Sequence, residues 1–231
     1  MNIFVKLAAP ALALLASCQQ SAVPGMERPV QIDTMLLVAP PAQSAVKVAS
    51  NEVSVVSHDS TTYIRFGDCY LSLDWISPDH ARNDFELRPD TLFFTLRRHH
   101  TIEGQMLAIT TRETEKIKVS QSYETSIVIG TVALKNWKHY RAGWEMLTAE
   151  ANNFFICKRY TLQERTLFPA FSLPALQQYV KKNYSKDVYA RIAHTEKIPQ
   201  ATISTYYLKL NSLSKRTAAR INKLLVIEVA F

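Results

Sequence analysis

From Cys69 to Trp75 the side chains alternate without a break. Cys69, Leu71, Leu73 and Trp75 point one way, and Tyr70, Ser72 and Asp74 the other. A period of two marks a strand with one buried face, because successive side chains on extended backbone leave opposite sides. Similar runs fill most of residues 51–168. Val53 and Val55, then Tyr63, Ile64 and Phe66, are β-branched or aromatic. Further strands are expected at Thr91 to Leu96, Gln105 to Thr111, Lys116 to Gln121, Ser126 to Leu134 and Phe154 to Thr161. Clusters such as Ser77-Pro78-Asp79 and Arg88-Pro89-Asp90 supply turns between them. Strands joined by short turns pair antiparallel, which leaves a sandwich or a strongly curved sheet.

After Leu173 the period changes. Leu176, Val180, Tyr184, Val188 and Ile192 recur every four residues, which predicts one or two amphipathic helices. Pro174 suits a helix start, and Pro199 closes the region. The final stretch reads as strand, helix over about Ser214 to Lys223, and strand, with Ser212 or Ser214 as N-cap. The fold class expected is α+β: an antiparallel β-rich body followed by a basic, helix-containing C-terminal segment.

Charge separates the same two regions. Lys, Arg, Asp and Glu cancel over residues 1–173, whereas residues 174–231 carry ten basic side chains against Asp187, Glu196 and Glu228. The whole net charge of +7 therefore lies in the last quarter. Such asymmetry calls for an anionic partner or for a solvated basic face. The residues expected to make that contact are Lys181, Lys182, Lys186, Arg191, Lys215, Arg216, Arg220 and Lys223.

The N-terminus carries Lys6, then an Ala- and Leu-rich stretch from Leu7 to Leu15, then Ala16, Ser17 and Cys18. Charge, apolar core and small residues in that order are the layout of a secretory signal peptide. The apolar stretch is far below the roughly 20 residues that a spanning helix needs. The run Leu15-Ala16-Ser17-Cys18 resembles the lipobox of bacterial lipoproteins. That resemblance covers only the first twenty or so residues and implies an address, not an activity. It implies acylation at Cys18, removal of residues 1–17 and, because Gln19 rather than aspartate follows the cysteine, sorting to the outer membrane with the body in the periplasm. Residues 18–50, with Pro24, Pro29, Pro40 and Pro41, read as a lipid-anchored tether. A β-rich domain over 51–172 and the basic α/β segment 173–231 complete the expected layout.

With Cys18 acylated, Cys69 and Cys157 remain. In an oxidising compartment an even pair can bridge, and the alternative is two buried thiols. Only five glycines are present, and no glycine-rich phosphate loop or nucleophile elbow occurs. Six histidines are scattered, and the adjacent pair His99-His100 faces opposite sides on any strand, so no metal set and no cofactor is expected. Trp137, Tyr140 and Trp144 are spaced like one face of a helix, either packing on the sheet or resting on lipid or sugars. The acid pairs Asp84/Glu86 and Glu113/Glu115 read as surface groups.

These readings converge on a membrane-tethered binding or scaffold subunit of an envelope assembly or secretion machine. Its expected partners are the membrane through the N-terminal lipid, an envelope protein, and an anionic lipid or cell-wall surface. Nucleic acid enters only if the protein serves a transfer machine. A cell-envelope hydrolase needs a cleft joining His58, His80 or His99 to carboxylates, and a small-ligand binder needs an apolar cavity within a curved sheet.

Overall fold

The computed structural model describes residues 45–50, 53–83, 90–112, 114–151 and 153–231. The signal segment, Cys18 and nearly all of the tether lie outside the described residues. The last six tether residues are an exception, since Ala45–Ser50 form strand β1, which pairs antiparallel with β2 (Val53–His58).

The chain then continues as a meander through β3 (Thr61–Phe66) and β4 (Cys69–Asp74). Gly67, at φ +69°, makes the tight β3–β4 reversal that a side chain would resist. The strand predicted over Cys69–Trp75 is β4, and Cys69, Leu71 and Leu73 are buried as the alternation requires. At Trp75 (φ +61°) the chain leaves this sheet and enters a second one as β5 (Ile76–Pro78), followed by β6 (Thr91–Leu96). It returns to the first sheet as β7 (Met106–Thr111), which pairs with β4. Then comes β8 (Thr114–Ile129), a single strand of 16 residues where the sequence predicted two shorter ones. Short pieces β9 (Val132–Ala133), β10 (Tyr140–Arg141) and β11 (Glu145–Met146) lie against β8. Finally, β12 (Ala149–Ala151) and β13 (Phe154–Ile156) complete the first sheet, in the order β1-β2-β3-β4-β7-β13-β12.

Three helices follow. The first, α1 (Leu162–Arg165), is closed by a capping box in which Thr161 and Glu164 each satisfy the other's backbone N–H. The predicted helical repeat splits into α2 (Leu173–Asn183) and α3 (Lys186–Ala193), capped by Ser172 and Ser185. The last two strands are β14 (Ala201–Ser214) and β15 (Arg220–Val229).

No helix forms over Ser214 to Lys223. The Ser214 hydroxyl accepts from the Thr217 N–H and the Ser214 carbonyl from the Ala218 N–H, so one turn closes and the chain reverses into a hairpin. Strand-favouring residues on both sides, Thr202 to Leu210 and Leu224 to Val229, pair with each other and override the helical spacing. The segment after residue 172 is therefore not a separate unit. β14 lies between β8 and β15 in the second sheet, ordered β10-β8-β14-β15-β6-β5, and β15 runs parallel to β6.

The two sheets enclose one core. Ile64, Leu71 and Leu107 from the first meet Phe94, Leu208 and Ile227 from the second. A second core forms where β8 and β14 run on: Ile127, Ile129 and Ala201 pack against Leu176 and Val180 of α2 and Ile192 of α3. Residues 157–168 cross between the cores along one face of β8. Gln121 accepts from the Lys158 N–H and donates to its carbonyl, the Tyr123 hydroxyl donates to the Glu164 carbonyl, and the Thr125 hydroxyl to that of Leu167.

Cys69 and Cys157 are buried free thiols, so the disulfide that their number allowed is absent. Register explains it. Cys69 is opposite Thr111 at one end of β7, while the Cys157 N–H bonds to the Gln105 carbonyl beyond the other end, roughly 20 Å along the strand. A bridge needs Cα atoms within about 7 Å. Burial pushes the Cys69 thiol up to about 11, with Asp68 adding to the shift, and that of Cys157 to about 12.

One buried carboxylate holds the connection together. The Glu103 side chain, 2% exposed, accepts from the Tyr206 hydroxyl (2.7 Å), the Tyr160 N–H (2.8 Å) and the Arg165 guanidinium (2.7 Å). Glu103→Ala strands two buried donors and is expected to cost about 3 kcal/mol in urea denaturation. Arg165→Ala leaves the buried carboxylate without its cation and should cost about 2 kcal/mol, less than Glu103→Ala because the Tyr206 and Tyr160 donors remain.

Glu164 gives a pH signature. Hydrogen bonds from the Thr161 backbone and hydroxyl, and then from Lys158, hold its carboxyl at about 2. A folded value below the unfolded one means stability that is present above about pH 4.5 and lost as pH falls towards about 2. Thermal melts across that window should show a decline in the wild type that is shallower in Glu164→Gln.

Candidate functional site

Among the described residues, the outward face of the second sheet carries five cations that form no ion pair. From Lys118 to Ser126 the even-numbered β8 positions are polar, because the odd ones face the cores. Register builds the face in rows. In one, Lys118, Asn211 and Asn222 stand side by side on β8, β14 and β15. In the next row towards the hairpin, Glu115, Leu213 and Arg220 are neighbours, and a bulge in between lets Lys116 (φ +53°) turn to the same face. Lys116, Lys118, Asn211, Arg220 and Asn222 line a recess of about 290 Å³.

Moving away from the hairpin, Met146, Ser120 and Lys209 form a row, and Ser122 and Tyr207 the one after it. The two serines are small enough for neighbouring side chains to lie across them, and the Ser120 hydroxyl reaches the Met146 sulfur at 3.8 Å. Trp144 meets Tyr207 edge to face, with ring centres 6.4 Å apart. Arg141 lies over the Tyr207 ring at 4.2 Å, and the Lys209 ammonium sits 5.5 Å from the Trp144 ring centre. Trp144 is 42% exposed and Met146 60%.

The acids bordering this face are mostly occupied. Glu124 accepts from the Tyr207 hydroxyl, Glu228 is paired with Lys135 and Arg82, and Glu145 holds Lys158. Burial, and then the Glu124 charge, push the Tyr207 hydroxyl up to about 12, so it donates to Glu124 at any ordinary pH. Lys116, Lys118, Lys209, Arg141 and Arg220 form no ion pair with a described residue. With Glu115 counted, the recess keeps two positive charges in excess.

The eight basic residues expected to act together are divided between two ends of β14. Lys181 and Lys182 on α2, and Lys186 and Arg191 on α3, flank the Ala201 end. Lys215 and Arg216 are at the hairpin tip and Arg220 beside it, roughly 45 Å away along 14 residues. Lys223 points to the opposite face of β15 from Arg220, pairs with Asp90 at 2.7 Å and covers the Phe66 ring at 4.5 Å. Lys116, Lys118 and Lys209 are members that the reading of the sequence left out. The alternation of Lys116 and Lys118 with Ile117 and Val119 was the available signal.

Trp137, Tyr140 and Trp144 do not share a helix. Trp137 packs among Phe171 and Tyr179, at 5.2 and 5.7 Å, Tyr140 is in β10, and Trp144 stays open. The histidines are also apart from the recess: His58 is at the end of β2 beside Asp59, His80 lies in an exposed turn, and His100 stacks on Trp75 at 4.0 Å. Among the described residues no three His, Cys, Asp or Glu side chains converge as metal ligands, and no helix is long and apolar enough to cross a membrane. Asp84, Glu86 and Glu113 lie outside the described residues.

Comparison of the chain with protein-family models, with curated proteins and with solved structures finds no match.

The geometry separates recognition from stability. Lys118→Ala and Arg220→Ala, on an open face, should each shift folding free energy by under about 0.5 kcal/mol. Lys223→Ala should cost about 1 kcal/mol through its ring contact and ion pair. Urea midpoints of the three variants check this ranking.

Proposed function

We propose that this chain is an outer-membrane lipoprotein, acylated at Cys18, whose α+β body in the periplasm acts as a binding or scaffold subunit of an envelope assembly or secretion machine. One observation carries the binding role: cations on the outward face of the second sheet form no ion pair among the described residues and stand next to an exposed tryptophan. A face of that kind gains free energy only when an anionic surface covers it. The lipid would hold the body close to its partner and raise effective concentration through the tether.

A hydrolase would need a histidine beside carboxylates in a cleft, and the recesses at Arg65 and at Lys118 are lined by none. A small-ligand binder would need an apolar cavity, and Ile64, Leu71, Phe94 and Leu208 pack together between the sheets.

The test is cross-linking in intact cells, with recovery of the native protein and mass spectrometry. Wild type should bring down a stoichiometric envelope protein, and Lys118→Glu with Arg220→Glu should lower its recovery by loosening the body from the anionic surface that holds it near that partner. In parallel, Cys18→Ala should abolish incorporation of labelled palmitate and release the chain from the membrane fraction. Recovery of the protein alone, or palmitate labelling that persists without Cys18, would sink the reading.

A further inference from the structure

Resting on the reading that the chain is membrane-tethered, we infer that the outward face of the second sheet docks on an anionic lipid surface. A headgroup phosphate sits in the recess at Lys118, and Trp144 and Met146 enter the headgroup boundary.

Three features of the face select this occupant. The first is the donor set. Lys116, Lys118 and Arg220 bring charge, and the amides of Asn211 and Asn222 add neutral donors between them. Phosphate oxygens accept from both kinds, and the guanidinium can grip two oxygens at once. The recess suits a group of headgroup size rather than a long ligand.

The second feature is the exposed apolar pair. Trp144 and Met146 are two residues apart, and both emerge beside Arg141 and Lys209. An indole ring flanked by cations is the usual equipment of a membrane interface, where the ring is at home among headgroups and the cations meet phosphates. Met146, 60% exposed, favours a lipid surface, because its apolar side chain gains buried area among acyl chains.

The third feature is extent. The rows from Tyr207 to Leu213 cover about 20 Å along β14, and their outward side chains on that strand are half-buried. Among the described residues five cations without an ion pair stand on and beside that area against Glu115 and Glu124, and the net positive charge gives the attraction that a polybasic patch adds to an acyl anchor. Docking through this face would lay the sheet along the membrane and turn the hairpin tip, with Lys215 and Arg216, towards the same surface.

The experiment uses the full chain with Cys18→Ser, so that no acyl group contributes. Binding is followed by co-sedimentation and by tryptophan emission with vesicles of phosphatidylcholine, with and without phosphatidylglycerol. Binding is expected only to the anionic vesicles, with a blue shift that Trp144→Phe removes. Lys118→Gln and Arg220→Gln should each weaken binding about fivefold, with circular dichroism and melting unchanged. Lys181→Gln with Lys182→Gln, on the far helices, should have little effect. Equal loss from that far pair, or binding without a Trp144-dependent shift, would reduce the face to diffuse attraction and overturn the inference. Inorganic phosphate or polygalacturonate bound in a Lys118-dependent way, with anionic vesicles ignored, would overturn it in favour of a free anion or a glycan. Failure on vesicles while the cross-linked protein partner persists removes the lipid surface alone; loss of both removes the binding role as well.

Discussion

The long pairing of β8 with β14 is the constraint on which the rest of this structure depends. Both strands are more than twice the usual strand length, and they run past the edge of the first sheet. That overhang creates the need for a second core, since Ile127, Ile129 and Ala201 would otherwise face water. Helices α2 and α3 meet the need, and they lie on the same side of β8 as the first sheet. One strand thus supplies residues to two cores on one face, and its other face is left free for polar groups.

Between the two cores the inward positions of β8 cease to be apolar. Gln121 and Thr125 are buried there, and together with Tyr123 they take up the backbone of residues 157–168. A crossing segment carries peptide groups that sheet pairing does not satisfy, and burying them unpaired would be costly. Glu103 performs the same service at the near end. Gly104 at φ +77° turns the chain there, and the Arg159 guanidinium occupies the space where a Cβ would stand. The polar positions inside β8 are therefore the means by which an irregular segment can lie beneath a sheet.

Much of the fold was legible from alternation and turn chemistry. β4 and β6 were read to within a residue, and α2 and α3 from one four-residue repeat. The failures have physical causes. The spacing of Ile203 to Leu225 suits a helix as well as a strand, and only cross-strand pairing with β8 and β6 decided between them. β8 was split because Gln121 to Ser126 is polar, yet those residues are buried by a segment that local sequence does not reveal. The basic residues were grouped by position in the chain. Sheet register regroups them, joining Lys118 to Arg220 and sending Lys223 to the opposite side of its strand. Lipidation at Cys18 rests on its own short sequence pattern.

The parallel pairing of β6 with β15 has a bearing on how the chain reaches this state. β6 is bonded on one edge to β5, and on its other edge to β15, a strand that the chain supplies only after β14 has been made. Until those residues arrive, Leu92, Phe94 and Leu96 have no β15 beside them and the second sheet cannot close. The β1–β4 meander can fold as it emerges, whereas the other half must wait in an incomplete state with an apolar edge strand open to misassociation. A truncation that removes only β15 would therefore disable the assembly of a strand laid down early.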